Sequence, residues 1–386
     1  MKQMWLILFI ALLVSALCLP IVYFHYKIRD EASKKNLLFG VSFGLNTTSE
    51  AKLLIDKVKG YTNLFLINSW DISTNETALN EVCEYAVKAD LNFMVFFDFV
   101  SRVTYPWHQT WLDTAKARWG DKFLGVYLFD EPGGKQIDLG QWREGEYARD
   151  AFANVSDYSD AANHFVNSIS SINSTIDVKK RSIPIFTSDY ALYWFDYLAG
   201  YDAIFAEFGW NHSRTQQIAL CRGAAKVQDK PWGVIITWTY EYPPYLENGA
   251  EMLKDMITAY QAGANYLIVF NYPKIKDNPY GILTEEHFAA MKEFWNQIHT
   301  HPRNLIGKIE GQVAFVLPKD YGWGMRNPDD KIWGIWSPDN LSPLIWDKMN
   351  KLIKKYDLKL DIIYDDPRFN FEEKYSKIYF WNSTID

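Results

Sequence analysis

The chain has 386 residues, enough for one large domain and a small one, and 48% of them are hydrophobic, so a sizeable core can be built. A formal net charge of −7 without a basic block argues against a nucleic-acid partner. Aromatic residues reach 17%; their faces stack on sugar rings but also fill cores, so the excess points only weakly to carbohydrate.

Met4 to Phe24 is nearly all apolar, broken by Ser15 and Pro20, and about 20 such residues span a bilayer. A cleaved signal peptide and an uncleaved anchor both fit this pattern. Ala16-Leu17-Cys18-Leu19 is a poor cleavage site, and Leu17 before Cys18 spoils a lipoprotein box, so residues 1–30 are read as a transmembrane signal anchor. Lys27, Arg29, Lys34 and Lys35 follow the span while only Lys2 precedes it, which would hold the rest of the chain in the cytoplasm. Asn-X-Ser/Thr sequons at Asn46, Asn75, Asn154, Asn173, Asn211, Asn340 and Asn382 point outward instead. Large domains cross membranes regardless of flanking charge. A single-pass membrane glycoprotein with an extracellular domain is expected, with the cytoplasmic orientation left open.

Beyond the span, strand and helix signals alternate eight times. Leu37–Phe43 reads as a strand, and Thr47-Thr48-Ser49-Glu50 as a capping box before a helix that buries Ala51, Leu54, Ile55 and Val58. Leu64–Ile67 is the second apolar run; Ser73 with Glu76 should cap the helix carrying Leu79, Val82, Cys83 and Ala86. Phe93–Phe99 precedes a helix over Trp107–Trp119, and Phe123–Phe129 is the fourth strand. A long polar connection from Gly133 to Ser159 leads to a helix ending near Ile172. Ile183–Thr187, Ala203–Phe208, Gly233–Trp238 and Tyr266–Phe270 are the remaining strands. Continuous apolar runs suit strands buried on both faces, as in parallel sheets. Eight such units over residues 37–303 predict a (β/α)8 TIM barrel; the doubly wound alternative lacks a nucleotide fingerprint.

Residues 308–386 read as a small C-terminal α/β appendage. Its strands are Gln312–Leu317, Leu358–Tyr364 and Lys377–Trp381. Ser342-Pro343 should start a helix as N-cap and first-turn proline, with Ile345, Met349, Leu352 and Tyr356 on its buried face. The loop Tyr321 to Arg326 looks exposed, and it could cover the barrel mouth or merely pack against it. Three cysteines make no disulfide framework; Cys18 lies in the apolar span, and Cys83 and Cys221 at apolar helical positions read as small core residues. No zinc spacing, glycine-rich phosphate loop or Gly-X-Ser-X-Gly elbow is present, so no metal or cofactor is expected.

The most informative stretch is Phe123 to Gly133, where an apolar strand stops at Asp130 and Glu131. A carboxylate at such a strand tip sits where barrels keep their chemistry, and a desolvated carboxyl there can stay protonated and act as a general acid. The other strand ends contribute Asn46; Asn68, Trp70 and Asp71; Asp98 and Arg102; Ser188, Asp189 and Tyr190; Glu207 and Trp210; Trp238, Tyr240 and Glu241; and Asn271 and Tyr272. Carboxylates supply acid–base pairs, amides bind hydroxyls and aromatic faces stack on pyranose rings, which is what glycosidic hydrolysis needs. Each residue also has a plainer reading. Asp130 could cap its turn, Glu207 could be a structural partner of Arg102 or Arg222, Glu241 could be a solvated loop residue, and Trp70, Trp210 and Trp238 are core residues as readily as sugar platforms.

Asp130-Glu131-Pro132 resembles the strand-four Asn-Glu-Pro of the large retaining clan of barrel glycoside hydrolases, with Asp in place of Asn. That resemblance implies Glu131 as acid/base; the nucleophile expected after strand seven falls on Glu241 only poorly, about three residues past its strand. The Asp-Glu pair also resembles barrel β-N-acetylhexosaminidases, which implies an aspartate, here Asp130, that orients a 2-acetamido group. The expectation is a glycoside hydrolase acting on a cell-surface or extracellular glycan. Glu131 is its acid, and Asp130, Glu207 or Glu241 is the second group. Asp98, Trp70, Tyr190, Trp210, Trp238, Tyr240 and Asn271 bind the sugar. A non-catalytic glycan-binding or structural surface protein is the alternative.

Overall fold

The computed structural model describes residues 37–97, 107–138, 155–302 and 308–384. The expected anchor over residues 1–30, together with Asp98, Arg102 and Asn154, lies outside them. Among the described residues no helix is long and apolar enough to cross a membrane. Eight strands close into a parallel barrel in sequence order: β1 (Leu38–Phe43), β2 (Leu64–Ile67), β3 (Asn92–Phe96), β4 (Phe123–Tyr127), β5 (Ile185–Asp189), β6 (Ala203–Phe208), β7 (Trp232–Ile236) and β8 (Tyr266–Val269). β8 pairs back onto β1, Tyr266 against Leu38. The (β/α)8 barrel expected from the alternation is therefore present.

The strand ends differ from the sequence reading for a physical reason. β4 stops at Tyr127 although Leu128 and Phe129 continue the apolar run; both are buried in the turn, and Phe129 leaves extended geometry at φ 54°. Hydrophobicity reports burial, not pairing. Conversely β5 runs on through polar Ser188 and Asp189, which pair with Phe205 and Ala206 of β6. The expected Ser73 cap is replaced by Asn75, whose Oδ1 accepts the Ala78 N–H at 3.1 Å, because Ser73 is taken into a four-residue helix, Trp70–Ser73. That helix, and those over Pro132–Ile137, Asn173–Lys180 and Tyr193–Ala199, are too short to show a helical period in sequence.

Successive strand residues face opposite ways. Leu66, Met94, Tyr127, Phe186, Phe205, Ile235 and Ile268 pack together inside the barrel. Ser188 is two residues beyond Phe186 and Glu207 two beyond Phe205. The same alternation therefore turns both into the barrel one layer nearer the C-terminal rim, where barrel sites lie.

A three-stranded parallel sheet follows: β9 (Val313–Leu317), β10 (Leu360–Tyr364) and β11 (Lys377–Phe380), in the order β10-β9-β11. Its helix, Ser342–Tyr356, is capped by Asp339, whose Oδ1 accepts the N–H groups of Leu341 and Ser342, so Ser342 is the first helical residue and not the expected N-cap. Sheet and barrel belong to one compact unit, Leu38–Asp386. They are joined by Arg222 on the barrel helix Arg214–Val227. Its guanidinium meets Asp361 of β10 at 2.8 Å and the carbonyls of Leu360 and Ile309 at 3.1 Å, while Tyr375 donates to Asp361 at 3.0 Å. Next to it Gly223 lets the helix lie on the sheet, since a Cβ there would come within 2.6 Å of the Ile362 carbonyl. Arg222 is thus committed to the appendage and is not the partner of Glu207. The Tyr321–Arg326 loop is not exposed either: Tyr321, Trp323 and Met325 are each 1% accessible.

Replacing Arg222 by Met keeps most of its aliphatic volume but strands the Asp361 carboxylate in the interior. Breaking a buried pair from one side costs about 3–5 kcal/mol. The melting temperature by scanning calorimetry should fall accordingly, and Arg222→Met combined with Asp361→Leu should recover much of the loss. An Arg222→Met protein as stable as the wild type would mean that this pair does not fasten the sheet.

Candidate active site

The turn after β4 is built by a neighbouring carboxylate. Asp189, at the end of β5 and fully buried, accepts the N–H of Gly133 at 2.5 Å, of Gly134 at 2.7 Å, of Tyr190 at 2.7 Å and of Ala191 at 3.1 Å. The first two are orphan donors at the start of helix Pro132–Ile137, so one side chain caps that helix and ties it to β5. Burial pushes Asp189 up to about 6 against the pull of those four donors. Asp196, also fully buried, is raised well above the carboxylate range by burial and then by Asp189. Neither of its oxygens has a hydrogen-bond partner among the described residues.

This turn holds Glu131 in a left-handed conformation, φ 54° and ψ 50°, with its N–H on the Ser188 carbonyl at 3.1 Å. Only 23% of its side chain is exposed. Burial, then the charge of Asp130, pushes its carboxyl up to about 8, with Lys135 opposing. The Lys135 ammonium stands 3.7 Å from Glu131 and 3.6 Å from Asp130. Glu207 is 3% exposed, and burial, then Glu131 and Asp130, raise it well above its ordinary value. Its carboxyl is within hydrogen-bonding reach of Glu131.

Hydrogen bonds continue from this pair into the barrel. Ser188 Oγ lies 2.7 Å from Glu207 Oε1 and 2.7 Å from the Tyr127 hydroxyl, which in turn is 2.7 Å from Asp130 Oδ1. Asp130 is therefore not simply a turn cap: its side chain is 47% exposed at one end and bonded to the barrel interior at the other. Tyr127, Asp196 and Lys135 were not legible as site residues. Tyr127 reads as one more apolar strand residue, and strict alternation along β4 could not have marked it, because a register shift turns Phe123 outward onto Trp111 while Leu124 packs on the interior cluster.

The remaining candidates divide. Glu241 and Tyr240 lie exposed in the loop after β7. Trp70 at the end of β2 is 41% exposed; with Tyr240, Tyr242 and Tyr272 it places exposed aromatic faces on the rim. Trp238 is half-buried against Tyr245, Phe270 and Tyr272, and Trp210 is half-buried. Tyr190 is 5% exposed, its hydroxyl donating to Asp138 at 2.7 Å and Arg326 lying over its ring, so it serves the turn and offers no open face. Asn271 is fully buried and accepts the Ile282 N–H at 3.1 Å, which fixes the loop after β8. Asp98 lies outside the described residues. A shallow recess of about 680 Å³, lined by Leu45, Glu50 and residues 273–279, occupies the β8–β1 sector of the rim, apart from the carboxyls. Among the described residues no group of three His, Cys, Asp or Glu side chains is arranged to hold a metal ion.

No protein-family profile matches the chain, and no curated sequence matches it. In structure it is similar to a family-99 endo-α-mannosidase from Bacteroides thetaiotaomicron, at 10% identity over 68% of this chain and 81% of that one, with a TM-score of 0.40. It is also similar to an endo-1,4-β-mannanase from Eisenia fetida, at 11% identity over 68% and 90%, TM-score 0.39, and to a D-psicose 3-epimerase, at 8% over 70% and 100%, TM-score 0.36.

The raised carboxyls link stability to pH. Between the ordinary value of 4.5 and about 8, folded Glu131 holds a proton that the unfolded chain releases. The folded state binds more protons, so unfolding free energy falls as pH rises through this window, by at most about 1.4 kcal/mol per unit for each such group. Glu207, Asp189 and Asp196 add slopes of the same sign. Denaturant midpoints should therefore drop from mildly acidic to mildly alkaline pH, and Glu131→Gln should flatten the fall. Identical slopes in the two proteins would put the Glu131 carboxyl back in its ordinary range.

Proposed function

We propose that the chain is a glycoside hydrolase in which Glu131 is the general acid, acting on a cell-surface or extracellular glycan. The observation that carries this reading is the Glu131 carboxyl itself. It stands at the C-terminal end of β4, largely buried among Asp130, Asp189 and Glu207, and is held protonated near neutral pH. An acid whose proton is still present at working pH is what a leaving glycosidic oxygen requires. The exposed faces of Trp70, Tyr240, Tyr242 and Tyr272 on the same rim give sugar rings a surface to stack on. Residues 1–30 would hold this domain at the outer face of a membrane.

The second group of the reaction is Asp130. Glu207 is sealed in the barrel at 3% exposure and raised well above its ordinary value by burial, so it is held neutral and is a poor nucleophile. Glu241 sits in an exposed loop. Asp130 borders Glu131 in sequence, faces solvent, and is fixed by Tyr127, the placement needed to orient a substrate's own acetamido group. The exposed aromatic faces favour a second reading as well, a rim that binds glycan without cleaving it.

A hydrolysis screen against N-acetylated and plain oligosaccharides, on wild type, Glu131→Gln and Asp130→Asn, separates these readings. General acid catalysis is worth about 10²–10⁴-fold, so Glu131→Gln should lose about that much turnover on natural substrates and less on those with activated leaving groups. Asp130→Asn should be severe for N-acetylated sugars alone. Glycan binding with no turnover in the wild type would leave the binding reading standing; unchanged turnover in Glu131→Gln would remove Glu131 as the acid.

A further inference from the structure

Four oxygens run in line from the barrel interior to solvent: Glu207 Oε1, Ser188 Oγ, the Tyr127 hydroxyl and Asp130 Oδ1, each 2.7 Å from the next. Three hydrogen bonds need three protons. Ser188 and Tyr127 own two. If Tyr127 donates to an ionised Asp130 and Ser188 to an ionised Glu207, no proton is left between the two hydroxyls, and two bare oxygens face each other at 2.7 Å. The third proton therefore belongs to one of the terminal carboxyls.

Burial decides which. Asp130 has a side chain 47% exposed and Lys135 at 3.6 Å, so charge is tolerated there. Glu207 is 3% exposed and faces Glu131, Asp130 and Asp189, with Lys135 as a cation of the same cluster; charge there is costly. The proton sits on Glu207, and the bonds run Glu207 to Ser188, Ser188 to Tyr127, Tyr127 to Asp130. The Ser188 N–H, 3.1 Å from the Tyr127 oxygen, takes that oxygen's last acceptor position. Burial, then the Asp130 charge, keeps Tyr127 in its hydroxyl form. Glu207 Oε2 is buried and receives no bond from any ordinary donor. Glu131 is the carboxyl that a proton on Glu207 reaches, since a hydrogen bond from Glu207 pulls the Glu131 carboxyl down against the other effects.

We infer that Glu131, Glu207, Ser188, Tyr127 and Asp130 form a proton relay between the strand-four acid and solvent, with Ser188 and Tyr127 as positioning residues. The inference rests on Glu131 being the acid. When the glycosidic C–O bond breaks, its electron pair stays on the leaving oxygen, which takes the Glu131 proton. To reset, Glu207 passes its proton to Glu131, the Ser188 and Tyr127 hydroxyls turn toward Glu207, Asp130 takes a proton from water, and one proton then crosses each contact, from Asp130 to Tyr127, Tyr127 to Ser188 and Ser188 to Glu207, which restores the bonds as they were. Each relay group receives one proton and releases one, and Glu131 regains its own. No oxidant or further reactant enters.

Infrared spectroscopy of the full chain tests the relay without a substrate. At neutral pH a protonated-carboxyl absorption should be present, and the component owed to Glu207 should be missing in Glu207→Gln. On transfer to D₂O that band should shift promptly in the wild type and with a delay in Tyr127→Phe and in Ser188→Ala, because the path for the exchanging proton is cut. A residue that only holds structure gives the opposite sign, since removing it loosens the barrel and speeds exchange. If Tyr127→Phe does not fold, Ser188→Ala, which adds no volume, carries the test. Retention of the full band in Glu207→Gln, or exchange that is unchanged or faster in the folded variants, overturns the relay. Delayed exchange alongside undiminished turnover in Glu131→Gln would keep the wire from Glu207 to Asp130 and remove only its use in glycoside hydrolysis.

Discussion

Barrel closure denies hydration to whatever points inward, and the arrangement around β4–β6 follows from that. On the inner face of β6 the residue after Ala203 and Phe205 is Glu207, a carboxylate where the pattern calls for an apolar side chain. Ionised and alone it would cost several kcal/mol. An ion pair would offset this, but Arg222 is spent on Asp361 and Lys135 stands over Asp130 and Glu131. The described residues instead keep the proton, and with it a ladder of acids from Glu131 through Glu207 to a hydroxyl pair.

The turn carrying Glu131 depends on a second constraint. A residue with a Cβ in the left-handed region is held there at a cost of order 1 kcal/mol or more, unless its surroundings leave no choice. Here both ends of the following short helix are fixed. Asp189 grips the first N–H groups, and at the far end Arg326 from the appendage pairs with Asp138 at 2.7 Å while Gln136 donates to the Trp333 carbonyl at 2.8 Å. Gly134 permits this, because a Cβ there would fall 2.1 Å from the Tyr190 ring. Residues more than 180 positions apart in sequence thus jointly orient one carboxyl. That gives the three-stranded sheet a role in the site although none of its strands reaches the rim.

This division explains what could be read from sequence. The barrel was legible because eight apolar runs separated by amphipathic helices leave few alternatives. Asp130 and Glu131 stood out because they end such a run abruptly, and Glu207 because it interrupts one. The Tyr190, Asn271 and Glu241 assignments rested on position at a strand end alone. The placement of Tyr190 and Asn271 is set by contacts that sequence spacing does not carry, the Asp138 and Arg326 clamp and the Ile282 amide. Tyr127 was invisible for the same reason, and Ser188, although read at the end of the fifth strand, carried no sign of its partners. A tyrosine in a buried strand looks like core until the chain oxygen by oxygen is known.

The Glu131–Glu207 contact also bears on mechanism. Two carboxyls in direct reach cannot both ionise in a dry site, so they titrate as a pair and neither has a value of its own. The pair can keep one proton ready over a wide pH range. The exposed neighbour, Asp130, shares no space with Glu207 yet is joined to it by two hydroxyls, so a change in its charge is felt at the buried acid through bonds of 2.7 Å. Exposure at one end and desolvation at the other give the cluster a direction, which a symmetrical pair of surface carboxylates would lack.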